Sequence, residues 1–235
     1  MTRAIATRTR AARPWILPGL GLVLIVQGCA GLPRATGDFA GGSGAFQVRT
    51  GRSGIVIGAP PAGLDAETDT VARELASRTG FGLVVVRDSA TRQQSHGDAA
   101  SAFQAYRRLV ADAAQGPLRL YVEIRGDGDR ASAGRVMVAT TGLSADDVWR
   151  LKTLFELIRD VRVQKPTARL EMLVESRTTG FQTVQVSALA GAVNVERAIR
   201  IDLPPAARTT YREAYINVLA AVLTESATFL VARER

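Results

Sequence analysis

The sequence predicts an α/β fold: a mostly parallel, mixed sheet with helices on both faces, built as a single three-layer domain. Three observations predict it. Residues 55–87 run from an apolar strand (IVIG) through a Gly/Pro turn and an amphipathic helical segment into a second apolar strand (GLVVVR). That is a βαβ unit, and short continuous apolar runs are the mark of parallel strands buried on both sides. Strand-like and helix-like segments then keep alternating to the end of the chain. Finally, 235 residues, of which 46% are hydrophobic, suffice for one sizeable core, and no internal repeat divides them.

Each element carries its own signal. Residues 46–49 read as a short strand, joined through a glycine turn to residues 55–58. A helix is expected over residues 68–79, where Val71, Ala72, Leu75 and Ala76 recur on one face and Gly80 stops it. Residues 88–97 are polar and hold the only histidine, His96, in an expected loop. A second helix starts at an Asp98 cap, turns Phe103, Tyr106, Val110 and Ala113 inward, and ends at Gly116-Pro117. Residues 118–125 (LRLYVEIR) alternate with period two. Leu118, Leu120, Val122 and Ile124 share one face; Arg119, Tyr121, Glu123 and Arg125 share the other.

Across the turn-rich residues 126–134, residues 135–140 are expected to form the antiparallel partner of that strand. Ser144-Ala145-Asp146-Asp147 has the form of a capping box with Asp in place of Glu. It opens a helix striped by Val148, Leu151, Leu154, Phe155 and Ile158, with Pro166 beyond its end. Strands are expected at residues 169–174 and 197–203, with a loop and short helix between them. The last helix, from Thr210 to about Ala232, has its apolar run interrupted by Thr224, Glu225 and Ser226. It is therefore expected to pack in the core and not to anchor in a membrane.

Residues 1–28 are a different kind of sequence. Arg3, Arg8, Arg10 and Arg13 form a positive head, and the apolar run at residues 15–26 is short and contains Pro18. A bilayer span needs about 20 apolar residues, so the pattern is that of a signal peptide. It ends in Val26-Gln27-Gly28-Cys29, which resembles a bacterial lipobox. That resemblance implies cleavage after Gly28, a lipid on Cys29 and attachment to the membrane; the alternative is an ordinary signal peptide with a chance cysteine. Ala30 after the cysteine resembles the sorting pattern for the outer membrane of a Gram-negative envelope. Residues 29–45 then read as lipidated cysteine plus a glycine-rich tether, and residues 46–235 as the folded domain. Cys29 is the only cysteine, so no intramolecular disulfide is expected.

The formal net charge is +8, but four of the 30 basic residues and none of the 22 acidic ones lie in residues 1–28, leaving 26 against 22, or +4. That balance fits anionic lipid head groups, an acidic ligand or plain solvated surface. No basic cluster interleaved with aromatics points to nucleic acid. Nothing identifies a protein partner.

Three segments fall at the carboxyl ends of predicted strands, where open α/β sheets hold their ligands. They are Pro60-Pro61-Ala62-Gly63 with Asp65 and Glu67, Glu123-Ile124-Arg125-Gly126-Asp127, and Ile201-Asp202-Leu203-Pro204 followed by Arg208. In order and context they resemble three segments of the zinc-dependent N-formylglutamate amidohydrolase-like family, over most of residues 54–210. The resemblance implies a histidine ligand in a Pro-His-Gly-Gly turn, a second in Glu-Ile-His-Gly, and a catalytic carboxylate followed by an arginine. The matching positions here are Pro61, Arg125, Asp202 and Arg208.

The departures are chemically severe. A catalytic zinc needs about three protein ligands and an open position. Proline offers no lone pair, and a guanidinium has no acceptor and repels a divalent cation. His96 alone among loose carboxylates makes a weak substitute and reads as a loop residue. The expectation is therefore no cofactor and lost hydrolytic machinery. The ligand-binding set that remains is Arg125, Glu123, Asp65, Glu67, Asp127, Asp202 and Arg208. In one reading Arg125 replaces the metal as the positive centre and holds a small carboxylate through its fork. In the other it belongs to a structural Arg–Glu–Asp network. Asp65, Glu67 and Asp69 also read as acids at a helix N-terminus, the better reading for Asp69. A divergent amide hydrolase acting on a peptide or cell-wall fragment, with Asp202 or Glu123 as base, is the alternative function; a purely structural envelope lipoprotein is the third. No Gly-x-Ser-x-Gly elbow, P-loop or dinucleotide fingerprint is present.

Overall fold

A computed structural model describes residues 46–60, 67–86, 99–127, 134–176 and 195–231, all within one compact unit, Arg34–Arg235. The leader, Cys29, the tether, Pro61, Asp65, His96, the Asp98 cap and the short helix expected before β7 lie outside the described residues. The elements, in chain order, are β1 (Phe46–Arg49), β2 (Arg52–Ala59), α1 (Thr68–Thr79), β3 (Phe81–Val86), α2 (Ala99–Ala114), β4 (Leu120–Gly126) and β5 (Arg135–Thr141). Then come α3 (Ala145–Arg162), β6 (Glu171–Ser176), β7 (Arg197–Leu203), the short α4 (Pro205–Arg208) and α5 (Arg212–Val231).

The strands form one seven-stranded mixed sheet in the order β1-β3-β2-β4-β7-β5-β6. β2 pairs in parallel with β3 and β4, β4 with β7, and β5 with β6, while the β1–β3 and β5–β7 ladders are antiparallel. Period-two alternation assigns the two faces. Ile55, Ile57, Leu83, Leu120, Val122, Ile124, Val136, Ile199 and Ile201 build the larger core with α1, α3 and α5. Val56, Val84, Tyr121 and Ala198 face the opposite way, into a smaller core with α2. The fold is thus three-layered, with β2 and β3 buried on both sides as their unbroken apolar runs require.

Local signals set the helices. α1 buries Val71, Ala72, Leu75 and Ala76, and Gly80 ends it at a φ of 71°, its N–H donating to the Ala76 carbonyl at 3.0 Å. Such a left-handed cap is where glycine is favoured. At its other end, Glu67 makes no side-chain cap. α3 has the expected capping box: the Asp147 N–H donates to Ser144 Oγ at 3.1 Å, and the Ser144 N–H donates back to the Asp147 carboxylate. α5 is the one helix among the described residues long and apolar enough to cross a membrane, yet 56% of that stretch is buried within the domain. Its Tyr215 hydroxyl donates to the Ala168 carbonyl at 2.9 Å and accepts from the Leu170 N–H at 2.6 Å, tying α5 to the 3₁₀ turn Pro166–Ala168.

One expectation is corrected. β5 is not the partner of β4, because β7 lies between them and pairs with both. The turn-rich connection needs to cross only two strand spacings, about 10 Å, so chain proximity did not force a hairpin.

Candidate functional site

Along the α2 side of the sheet the alternation that buries Val56 and Tyr121 changes character at the ends of β4 and β7. Glu123 and Arg125 point there from β4, and Arg200 and Asp202 from β7. The parallel register sets Glu123 opposite Arg200 and Arg125 opposite Asp202. Every charge therefore has an opposite charge as its cross-strand neighbour and another two residues along its own strand. Arg125 Nε donates to Glu123 Oε1 at 2.5 Å, and Arg200 Nε donates to Asp202 Oδ1 at 2.9 Å. Among the described residues the two terminal amino groups of Arg200 make no hydrogen bond.

Burial shapes the chemistry of both acids. Glu123 is 1% exposed and its Oε2 has no hydrogen-bond partner among the described residues. Removal from water pushes its carboxyl above the ordinary value, against the opposing pull of Arg125. Asp202 is raised for the same reason, with the Arg200 hydrogen bond opposing. Beside them the hydroxyls of Tyr106 and Tyr121 share a 2.8 Å hydrogen bond, and Tyr106 donates onward to the Val84 carbonyl at 3.4 Å. Burial raises both phenols, so they stay neutral. This pair stands over Gly58, the β2 residue opposite Glu123. A Cβ at Gly58 would overlap both phenol oxygens, which is why that strand position carries no side chain.

The sequence-derived residues divide. Glu123, Arg125 and Asp202 are brought together. Asp127 and Arg208 join the strand ends: the Asp127 N–H donates to the Leu203 carbonyl at 2.8 Å, and the buried Arg208 donates to the carbonyls of Leu203 at 3.1 Å and Asp127 at 3.4 Å. Glu67 pairs with Arg212 of α5 at 3.0 Å, on the other side of the sheet. Asp69 pairs with Arg73 one turn on, as a first-turn helix acid does. Arg200 and the tyrosine pair were not among the expected site residues. The signal for Arg200 was present, since Arg200-Ile201-Asp202 repeats the i, i+2 spacing of Glu123 and Arg125.

No group of three His, Cys, Asp or Glu side chains converges among the described residues. The two carboxylates that do approach one another are each held by a guanidinium. This donor set does not fit a catalytic zinc, which needs about three ligands of its own; Pro61 and His96 lie outside the described residues.

Fold and site together define an α/β domain with an ion-paired polar patch at the carboxyl ends of β4 and β7, the place where open α/β sheets bind ligands. No family model and no curated protein matches the chain. Among solved structures it is similar to a bacteriophage poly-gamma-glutamate hydrolase, at 12% identity and TM-score 0.46 over 81% of this chain and 91% of that one. It is similar too to zinc-free YNDL, at 13% and 0.48 over 80% and 89%. A third is the N-acetylmuramoyl-L-alanine amidase of Clostridium difficile 630, at 14% and 0.44 over 78% and 100%. The first and third of these are named a hydrolase and an amidase; at such identities the likeness assigns no activity to this chain.

Proposed function

We propose that the chain is a cell-envelope lipoprotein whose domain binds a small carboxylate-bearing ligand at Arg200 and Arg125. It does so on a fold of the amidohydrolase kind that has lost its zinc ligands. The observation that carries this reading is the Arg200 guanidinium. Its Nε is fixed by Asp202, its side chain is 22% exposed, and its terminal donors make no hydrogen bond among the described residues. A guanidinium fork of that kind matches a carboxylate in two places at once. Arg125 on the next strand adds a second positive centre, and the two ion-paired acids hold the arginines in position.

Thermal unfolding in acetate, succinate and glutarate, against chloride at equal ionic strength, tests this. One of the acids is expected to stabilise the chain, by about 2.7 kcal/mol at 100 times its dissociation constant. Arg200→Lys, which keeps the charge and removes the fork, should lose most of that gain. Stabilisation that survives in both Arg200→Ala and Arg125→Ala would refute the site.

A second reading rests on the raised carboxyls of Glu123 and Asp202 beside the two arginines, since a buried carboxyl shifted upward is a general acid or base candidate. Hydrolysis of N-formylglutamate that disappears in Asp202→Asn would favour it, as would near-stoichiometric zinc in the purified chain. The lipid anchor rests on the Gly28-Cys29 junction. Cells fed labelled palmitate should label the wild-type chain and not Cys29→Ser; equal labelling of both would remove the anchor from the proposal.

A further inference from the structure

The four charges at the ends of β4 and β7 sum to zero. Arg125 and Arg200 alternate with Glu123 and Asp202 both along the strands and across the ladder. None of the four side chains is more than 22% exposed. A carboxylate ligand brings a fifth charge into this setting. Seated on the Arg200 fork, it stands beside Glu123, the cross-strand neighbour of Arg200. Two anions crowded into one buried site do not both keep their charge; one of them binds a proton more tightly.

The elements packed around Glu123 leave it as the group to do so. α2 contributes Tyr106 and β4 contributes Tyr121, phenols that burial keeps neutral. β2 contributes Gly58, which has no side chain. β7 contributes Arg200 and Asp202, and β5 faces these two with Ala139 and Met137, neither of them charged. Past the end of β4, Asp127 adds a further negative influence on Asp202. Arg208 of α4 is held on the carbonyls of Leu203 and Asp127. Glu123 also has an atom to receive the proton. Its Oε1 accepts from Arg125 Nε, whereas its Oε2 has no hydrogen-bond partner among the described residues.

We infer that the site takes up its carboxylate together with one proton, which passes from solvent to Glu123 Oε2 and returns when the ligand leaves. The occupied site is then neutral again, with two guanidiniums set against Asp202 and the ligand. Arg125 keeps its hydrogen bond, because the unprotonated oxygen of a carboxyl group still accepts. This inference rests on the carboxylate reading above and adds a coupling to it. By linkage, an anion that favours the protonated site binds more tightly as the pH falls. The gain ends once Glu123 is already protonated in the empty site.

Calorimetry counts the proton. Acetate, succinate and glutarate are titrated into the full chain at about pH 7, where free carboxyl groups are ionised, in two buffers of different ionisation enthalpy. The difference in heat between the buffers gives the protons taken up, and an acid that binds should take up close to one per site. Its affinity should rise by up to about tenfold for each unit that the pH falls from about 8 to 6.5. Glu123→Gln, an isostere of the protonated side chain, should take up no proton. It should bind with the same affinity across this range, and more tightly than the wild-type chain at the alkaline end. Binding without proton uptake would overturn the inference and leave the carboxylate reading standing. Uptake that persists in Glu123→Gln would overturn it by placing the proton elsewhere. If no acid binds in a way that depends on Arg200 at any pH, the carboxylate reading falls and this inference falls with it.

Discussion

Arg125→Ala is expected to destabilise the domain by about 3–5 kcal/mol at neutral pH, because it strips the partner from a buried carboxylate. The loss should shrink as the solution is acidified. Glu123 titrates in the folded protein above its ordinary value of 4.5, chiefly because it is buried, with Arg125 as the strongest opposing influence. An acid raised in this way binds its proton more tightly folded than unfolded. Its contribution to stability is therefore fully present below pH 4.5 and is lost as the pH rises through the folded-state value. Removing Arg125 lifts that value further, so the variant loses more, over a wider window. Urea unfolding of both proteins between pH 4.5 and 8 should give curves that converge at the acid end and diverge with rising pH. Adding Glu123→Gln to Arg125→Ala should flatten the divergence. A constant gap at all pH values would mean that the loss is one of packing and that the ion pair contributes nothing.

The same burial makes the polar patch a commitment of the fold. Glu123 reaches its position because Gly58 leaves room on β2 for the two phenols beside it, and Asp202 reaches its own because β7 runs parallel to β4 in a register that alternates the charges. Neither arrangement is local. The sequence made legible what depends on near neighbours. The limits of α1 follow from a helical period closed by Gly80, and the capping box of α3 follows from Ser144 and Asp147. The shared face of Glu123 and Arg125 follows from the strand alternation. Strand partnership was not legible in this way, since the pairing of β4 with β7 joins residues more than 70 positions apart while β5 stood nearer in the chain.

The role of Arg200 stayed hidden for that reason: its spacing from Asp202 is plain, but only β7 lying beside β4 brings it to Glu123 and Arg125. Arg208 shows the converse. Its place in the motif made it a ligand-binding candidate, while in the fold it clamps the carbonyls of Leu203 and Asp127. A guanidinium serves either task equally well, and composition does not distinguish them.

Helix α3 supplies the other large expected effect, since its two sides should respond in opposite ways to truncation. Phe155 is fully buried in the larger core, with the Arg159 guanidinium carbon 5.9 Å from the centre of its ring. Phe155→Ala would leave a cavity between α3, the sheet and α5, and should cost about 3–5 kcal/mol. Leu157, two residues on and about 200° around the helix, is 62% exposed. Leu157→Ala should change stability by no more than about 0.5 kcal/mol, because the side chain already stands in water in the free protein. Urea midpoints of the two variants measure the contrast directly. Comparable losses would mean that α3 is rotated from the register seen here, with Trp149, Leu157 and Val161 turned inward.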